Sequence, residues 1–305
     1  QSAVSTPLIA AAGGGHLDSV RVLLGDVRVN ANLARDDGVT PIFMAAQNGH
    51  ADVVRLLLDD LQVDPNLAAD DGVTPLFMAA QNGHADVVRL LLDNPQVDPN
   101  LASEDGDTPL HVAASEGHAG IVRLLLDNPK VNPNLARDDR ATPLFFAAQE
   151  GHVDVVRLLL DNPQVDPEHS IFDGRTHLYI AAQQGHVDVV SLLLRDPRVN
   201  PNEASKEGET PLLVAVSRGR VDVVRLLLGD PRVNPNQANK DGTTPLKLAK
   251  RNRRPEITRL LFYDPRVNGN LVGVLKTPDP EFKFERELPF EGKNVRILNN
   301  CCSWC

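Results

Sequence analysis

Residues 43–59 read FMAAQNGHADVVRLLLD, and the same seventeen letters return at residues 77–93. Working outward from these copies, Thr-Pro stands at Thr6, Thr40, Thr74, Thr108, Thr142, Thr210 and Thr244, with Thr176-His177 in the remaining slot, a spacing of 34 residues over eight units. A period in that range marks a solenoid of stacked units. Nine residues after each Thr comes Gly15, Gly49, Gly83, Gly117, Gly151, Gly185 or Gly219, followed by His in the first six and by Arg220 in the seventh. The eighth unit carries Arg253 and Arg254 instead.

Within residues 72–105, TPLFMAAQNG predicts a short helix, with Thr74 as N-cap, Pro75 at the first helical position and Gly83 as the stop. ADVVRLLLD predicts a second helix, apolar at Val87, Val88, Leu90, Leu91 and Leu92, with Asp86 near its positive end. The connector DNPQVDPNLASEDG favours extended and turn conformations and projects as a finger. A single hairpin cannot enclose its own leucines, so each unit stacks on copies of itself, with alanines such as Ala79 and Ala80 allowing close approach. At roughly 8 to 10 Å per step, eight copies make a curved rod.

The segment TPLHVAASEGHAGIVRLLL at 108–126 resembles the ankyrin repeat, and the resemblance covers about residues 4–268. It implies an all-α solenoid over residues 1–268, with a truncated first unit and a cap-like eighth, and leaves residues 269–305 as a nonrepetitive tail. It also implies a concave surface of finger tips and first helices that binds other proteins without catalysis. The period of 34 is one residue longer than the family's usual 33, and among the first helices the family's His stands only at His111, replaced by Phe43, Phe77, Phe145, Tyr179, Leu213 and Lys247. The first finger is cut short at Gln1, a start compatible with further repeats upstream.

With 42% hydrophobic and 24% charged residues, the 305-residue chain reads as an ordinary folded protein rather than a disordered one. Its Val/Leu runs are too interrupted to span a bilayer. The absence of Asn-x-Ser/Thr acceptors leans toward a cytoplasmic location. No nucleophile elbow, metalloprotease motif or phosphate-cradling loop is present, so neither catalysis nor a cofactor is expected. The recurring histidines sit one per repeat, too far apart to share a metal, and read as packing residues.

Charge is unevenly spread: residues 34–173 hold 8 basic and 24 acidic side chains, net −16, whereas residues 174–305 are net +6. The resemblance implies contact positions one, three and four residues before each Thr and seven and eight after it. These are Asp36, Asp37, Gln47, Asn48, Asp70, Asp71, Gln81, Asn82, Glu104, Asp105, Asp107, Glu116, Asp138, Asp139 and Glu150. Such an acidic ledge suits a basic protein partner and disfavours nucleic acid. The competing reading is that Asp before Gly is a routine turn former. In the finger EHSIFDGRTHLY, the apolar pair Ile171 and Phe172 is either a partner anchor, with Arg175 beside it as a contact residue, or folds back on the neighbouring finger, or marks a decayed repeat, and Arg140 replaces a turn glycine. Five pairs on the second helices, Asp18/Arg21, Asp52/Arg55, Asp86/Arg89, Asp154/Arg157 and Asp222/Arg225, read as solvated surface pairs.

The tail ends LNNCCSWC. Cys301, Cys302 and Cys305 read first as unmodified or disulfide-linked, second as a site resembling a prenylation box, which would place the chain at a membrane, and last as a metal site. The expected role is a scaffold, monomeric or one subunit of a hetero-complex, with a purely structural subunit of a larger assembly as the alternative.

Overall fold

The computed structural model describes residues 6–267, together with residues 287–290 and 293–296. The chain divides into two units, Gln1–Asp264 and Pro265–Cys305.

In the first unit every repeat is a helical hairpin. The pairs are α1 Pro7–Gly13 and α2 Leu17–Leu24, α3 Pro41–Gln47 and α4 Ala51–Leu58, α5 Pro75–Gln81 and α6 Ala85–Asp93, α7 Pro109–Ser115 and α8 Ala119–Asp127. They continue with α9 Pro143–Glu150 and α10 Val153–Asp161, α11 His177–Gln184 and α12 Val187–Arg195, α13 Pro211–Arg218 and α14 Val221–Gly229, α15 Pro245–Arg251 and α16 Pro255–Tyr263.

Each start is fixed locally. The recurring Thr is N-cap, and its Oγ1 accepts the N–H three residues on, at 3.3 Å from Phe43, 3.2 Å from Phe77 and 3.2 Å from Tyr179. This satisfies a donor that has no partner inside the helix. The stop is the glycine in left-handed conformation, with φ between 70° and 94° from Gly15 to Gly185. In the eighth repeat Arg253 takes the same conformation, φ 53°. The following residue sends its N–H back to the first helix, as His50 does to the Ala45 carbonyl at 2.9 Å.

First helices pack on first helices in chain order and second helices on second helices, giving two layers. Between the layers lie the apolar stripes, with Val53, Val54 and Leu57 of α4 buried and Asp52 and Arg55 exposed. Paired alanines of the first helices, such as Ala79 and Ala80, are 0% exposed, which is why bulkier residues are kept out of that seam. The five Asp/Arg pairs of the second helices make no ion pair among the described residues, and Arg225 instead reaches Glu256 of the next repeat at 3.3 Å.

In the second unit, β1 Glu287–Phe290 pairs antiparallel with β2 Lys293–Arg296, Glu287 facing Arg296. Pro289 lies in this two-stranded ladder, where an edge position tolerates a missing N–H.

Candidate functional site

The fingers carry the surface, and each is a small backbone turn. The N–H five residues before the Thr bonds the carbonyl one residue before it, as in Ala69 to Val73 at 2.9 Å and Arg137 to Ala141 at 3.0 Å. The glycine between them has positive φ in every described finger but one, where Arg140 sits at φ 70°. Glycine adopts that conformation freely, whereas an arginine is strained there.

The two acids of each doubled pair have different tasks. The carboxylate three residues before the Thr folds back onto the turn: Asp71 accepts the Val73 N–H at 3.1 Å, Asp139 that of Ala141 at 2.9 Å and Asp173 that of Arg175 at 3.1 Å. Asp37 accepts from Val39 at 3.3 Å and is ion-paired with Arg35, which holds its carboxyl below the usual range. The preceding acids, Asp36, Asp70, Glu104 and Asp138, are exposed, and their side chains make no hydrogen bond or ion pair among the described residues. In the fourth repeat Ser103 Oγ takes over the turn at 3.3 Å, which leaves the exposed Asp105 carboxylate unengaged as well.

Other contact positions are partly committed. Asp107 is half-buried against Arg137 at 3.2 Å; burial raises its pKa and the guanidinium works against that rise. Arg137 also lies 5.5 Å over the Phe146 ring, which meets the His111 ring edge-on at 6.0 Å. Asn82 Nδ2 donates to the Gln47 carbonyl at 3.1 Å, Asn48 does the same to Gly13 at 2.8 Å, and the Gln81 carbonyl accepts from His118. Glu116 and Glu150 are exposed beyond and at the ends of α7 and α9. Arg175 is held by Asp173 at 2.6 Å. Phe172 is 59% exposed at its finger tip, while Ile171 is half-buried. Cys301, Cys302 and Cys305 lie outside the described residues.

The recurring histidines are inter-repeat rungs. Each Nε2–H faces a carbonyl at the end of the preceding first helix: His50 to Gly13 at 2.9 Å, His84 to Gln47 at 3.0 Å, His118 to Gln81 at 3.0 Å, His152 to Ser115 at 2.7 Å and His186 to Gln149 at 2.9 Å. Arg220 makes the same contact to Gln183 through Nε at 3.1 Å.

A second set of rungs escaped the sequence reading. Asn66 Nδ2 donates to the Gln96 carbonyl at 2.7 Å while its Oδ1 accepts the Asp98 N–H at 2.9 Å, and Asn32, Asn100, Asn134 and Asn202 repeat the clamp. The signal was present as one Asn per period. In the sixth repeat Glu168 occupies the slot and can only accept, from the Asn200 N–H at 2.9 Å.

Two buried histidines are neutral and of opposite tautomer. His111 Nδ1 accepts the Thr108 N–H at 3.1 Å, so Nε2 carries the proton toward the Ala141 carbonyl at 3.2 Å. In His177, Nδ1 faces the Pro167 carbonyl at 2.7 Å and carries the proton, and Nε2 accepts from Thr142 Oγ1 at 3.0 Å. Burial lowers both to about 4. Burial and the Glu209 carboxylate, which accepts from Tyr179 at 2.9 Å, push that phenol up.

Comparison with family models gives a match to ankyrin repeats, in blocks of three copies, over residues 2–69, 61–137, 128–204 and 197–270. Comparison with curated proteins gives no match.

Proposed function

Since this chain belongs to the ankyrin-repeat family, we propose that it is a non-catalytic protein-binding scaffold whose acidic finger face receives a partner with a basic surface. The observation that carries this reading is the row of unengaged carboxylates at Asp36, Asp70, Glu104, Asp105 and Asp138. Each of these turns uses at most one of its two acids, and these are the ones left over. Desolvated partners are not required of such a row: rim carboxylates speed encounter and select the sign of the partner. Phe172, exposed beside the Asp139 turn, supplies an aromatic anchor at the border of the row.

Proteins captured by the wild-type chain and by a variant with Asp36→Asn, Asp70→Asn, Glu104→Gln, Asp105→Asn and Asp138→Asn, identified by mass spectrometry, test this. The expected result is loss from the variant of a partner with a basic surface that also elutes with moderate salt. Capture of the same proteins by both would remove the acidic row from the account.

A further inference from the structure

The second helices present a stripe that is constant through repeats two to five and changes at α12 and α14. In repeats two to five the fifth residue of the second helix is arginine (Arg55, Arg89, Arg123, Arg157) and the ninth position is aspartate (Asp59, Asp93, Asp127, Asp161). In the sixth repeat these two slots hold Ser191 and Arg195, and in the seventh the ninth is Gly229. The three exchanges make the stripe more positive by two charges and remove two long or branched side chains.

The space they leave is an open groove of about 1080 Å³ between α12 and α14. Its floor is Val187, 37% exposed, with Leu194, Leu226, Pro197 and Pro231, and its charged lining is Arg195, Arg225 and Arg232 against Asp222 and Asp230. A Cβ built on Gly229 meets nothing within 4 Å, so the opening is real space beside the backbone and not a packed contact. Arg232 is fixed, clamped on Asp230 at 2.8 Å and on the Val199 carbonyl at 3.2 Å. Arg195 is exposed and makes no hydrogen bond or ion pair among the described residues. Arg225 is tied only through an exposed pair with Glu256, the kind of contact that exchanges readily.

We propose that this groove is a second binding site, for a short acidic peptide segment of a partner protein that carries an apolar side chain. The aliphatic floor takes the apolar side chain, and the guanidiniums of Arg195 and Arg225, which suit carboxylates in fork geometry, take the acids. The groove lacks the enclosed, convergent polar groups that orient a small ligand, and this favours a chain laid across it. A helix of nine residues is about 13 Å long, which an extended segment of roughly four residues spans. This site shares no residue with the acidic row, and its charged lining is three arginines against two aspartates, so it stands independently of the role given to the fingers.

The test is fluorescence polarisation with the labelled peptide EDLFED on the full chain, against EDSSED, which lacks the anchor, and KKLFKK, which inverts the charge. Two variants restore residues that other repeats already carry: Ser191→Arg with Arg195→Asp, and Gly229→Asp alone, with folding checked by circular dichroism. EDLFED is expected to bind more tightly than both control peptides, and each variant to weaken it about tenfold or more, as for loss of an anchoring contact. The fivefold finger variant should bind it as wild type does. Equal binding of the three peptides, or undiminished binding to both folded variants, would overturn the proposal.

Discussion

Repeats two to four and repeats five to six are built from the same line of sequence yet differ in how they are joined. In the former, glycines turn the fingers at Gly38, Gly72 and Gly106, and backbone bonds step from finger to finger, Asp70 to Asp37 at 3.1 Å and Glu104 to Asp71 at 2.8 Å. The next such bond, from Asp138 to Asp105, is not made; Arg137 reaches Asp107 instead, and the strained Arg140 follows. Beyond it Glu168 breaks the asparagine clamp, His177 replaces a helix-starting proline and Phe172 emerges at the tip. The regular part shows what stacking demands. The departures show what it permits once the rungs on either side hold the register.

The comparison breaks most sharply at a rung of the regular part. Gly117→Ala meets both a positive φ of 76° and the His152 ring, whose Nδ1 lies 2.6 Å from the added Cβ. We expect a loss of about 2 to 4 kcal/mol in urea unfolding, the range for strain combined with overpacking. A change under about 0.5 kcal/mol would mean that the histidine rung is slack.

Next in size is the acid response of the two buried histidines. Their folded values of about 4 lie below the ordinary 6.5, so the unfolded chain binds protons first as pH falls. The stability they contribute is complete above about pH 6.5 and is lost progressively toward about pH 4, by up to roughly 3 kcal/mol for each ring. His177→Pro, which restores the residue of the other repeats, and His111→Phe should each flatten the unfolding free energy between those limits. An unaltered slope in both would show that the rings are already charged in the fold.

Smaller effects sharpen the contrast from the irregular side. Arg140→Gly relieves the left-handed strain and Glu168→Asn restores a donor; each should stabilise by about 1 kcal/mol in the same assay. Phe172→Ala should change stability by less than about 0.5 kcal/mol, since the ring is mostly exposed, while weakening partner capture. A large fall in Tm with normal capture would make Phe172 a packing residue.

These differences also mark what could be read without coordinates. Thr74, Pro75, Gly83 and the Val88 and Leu91 stripe were legible because caps, stops and helical periodicity act within a few residues. The repeat period added the stack, and the wide spacing favoured packing over metal ligation as the reading of the histidines. What each ring reaches was not legible, because His118 finds a carbonyl 37 residues back and Asn100 one 30 residues ahead. The acidic face was legible only as a list. Asp70 and Asp71 look alike in sequence, and only the turn geometry separates the carboxylate that holds a backbone N–H from the one that faces water.

That separation is the centre of the account, and one paired measurement addresses it: partner affinity and Tm for Asp36→Ala/Asp70→Ala/Asp138→Ala against Asp37→Ala/Asp71→Ala/Asp139→Ala. The first set is expected to weaken binding on the order of tenfold at low salt with Tm nearly unchanged, and the second to lower Tm by several degrees through its three lost turn contacts. A first set that lowers Tm and leaves affinity intact would contradict the assignment of the outer carboxylates to the partner.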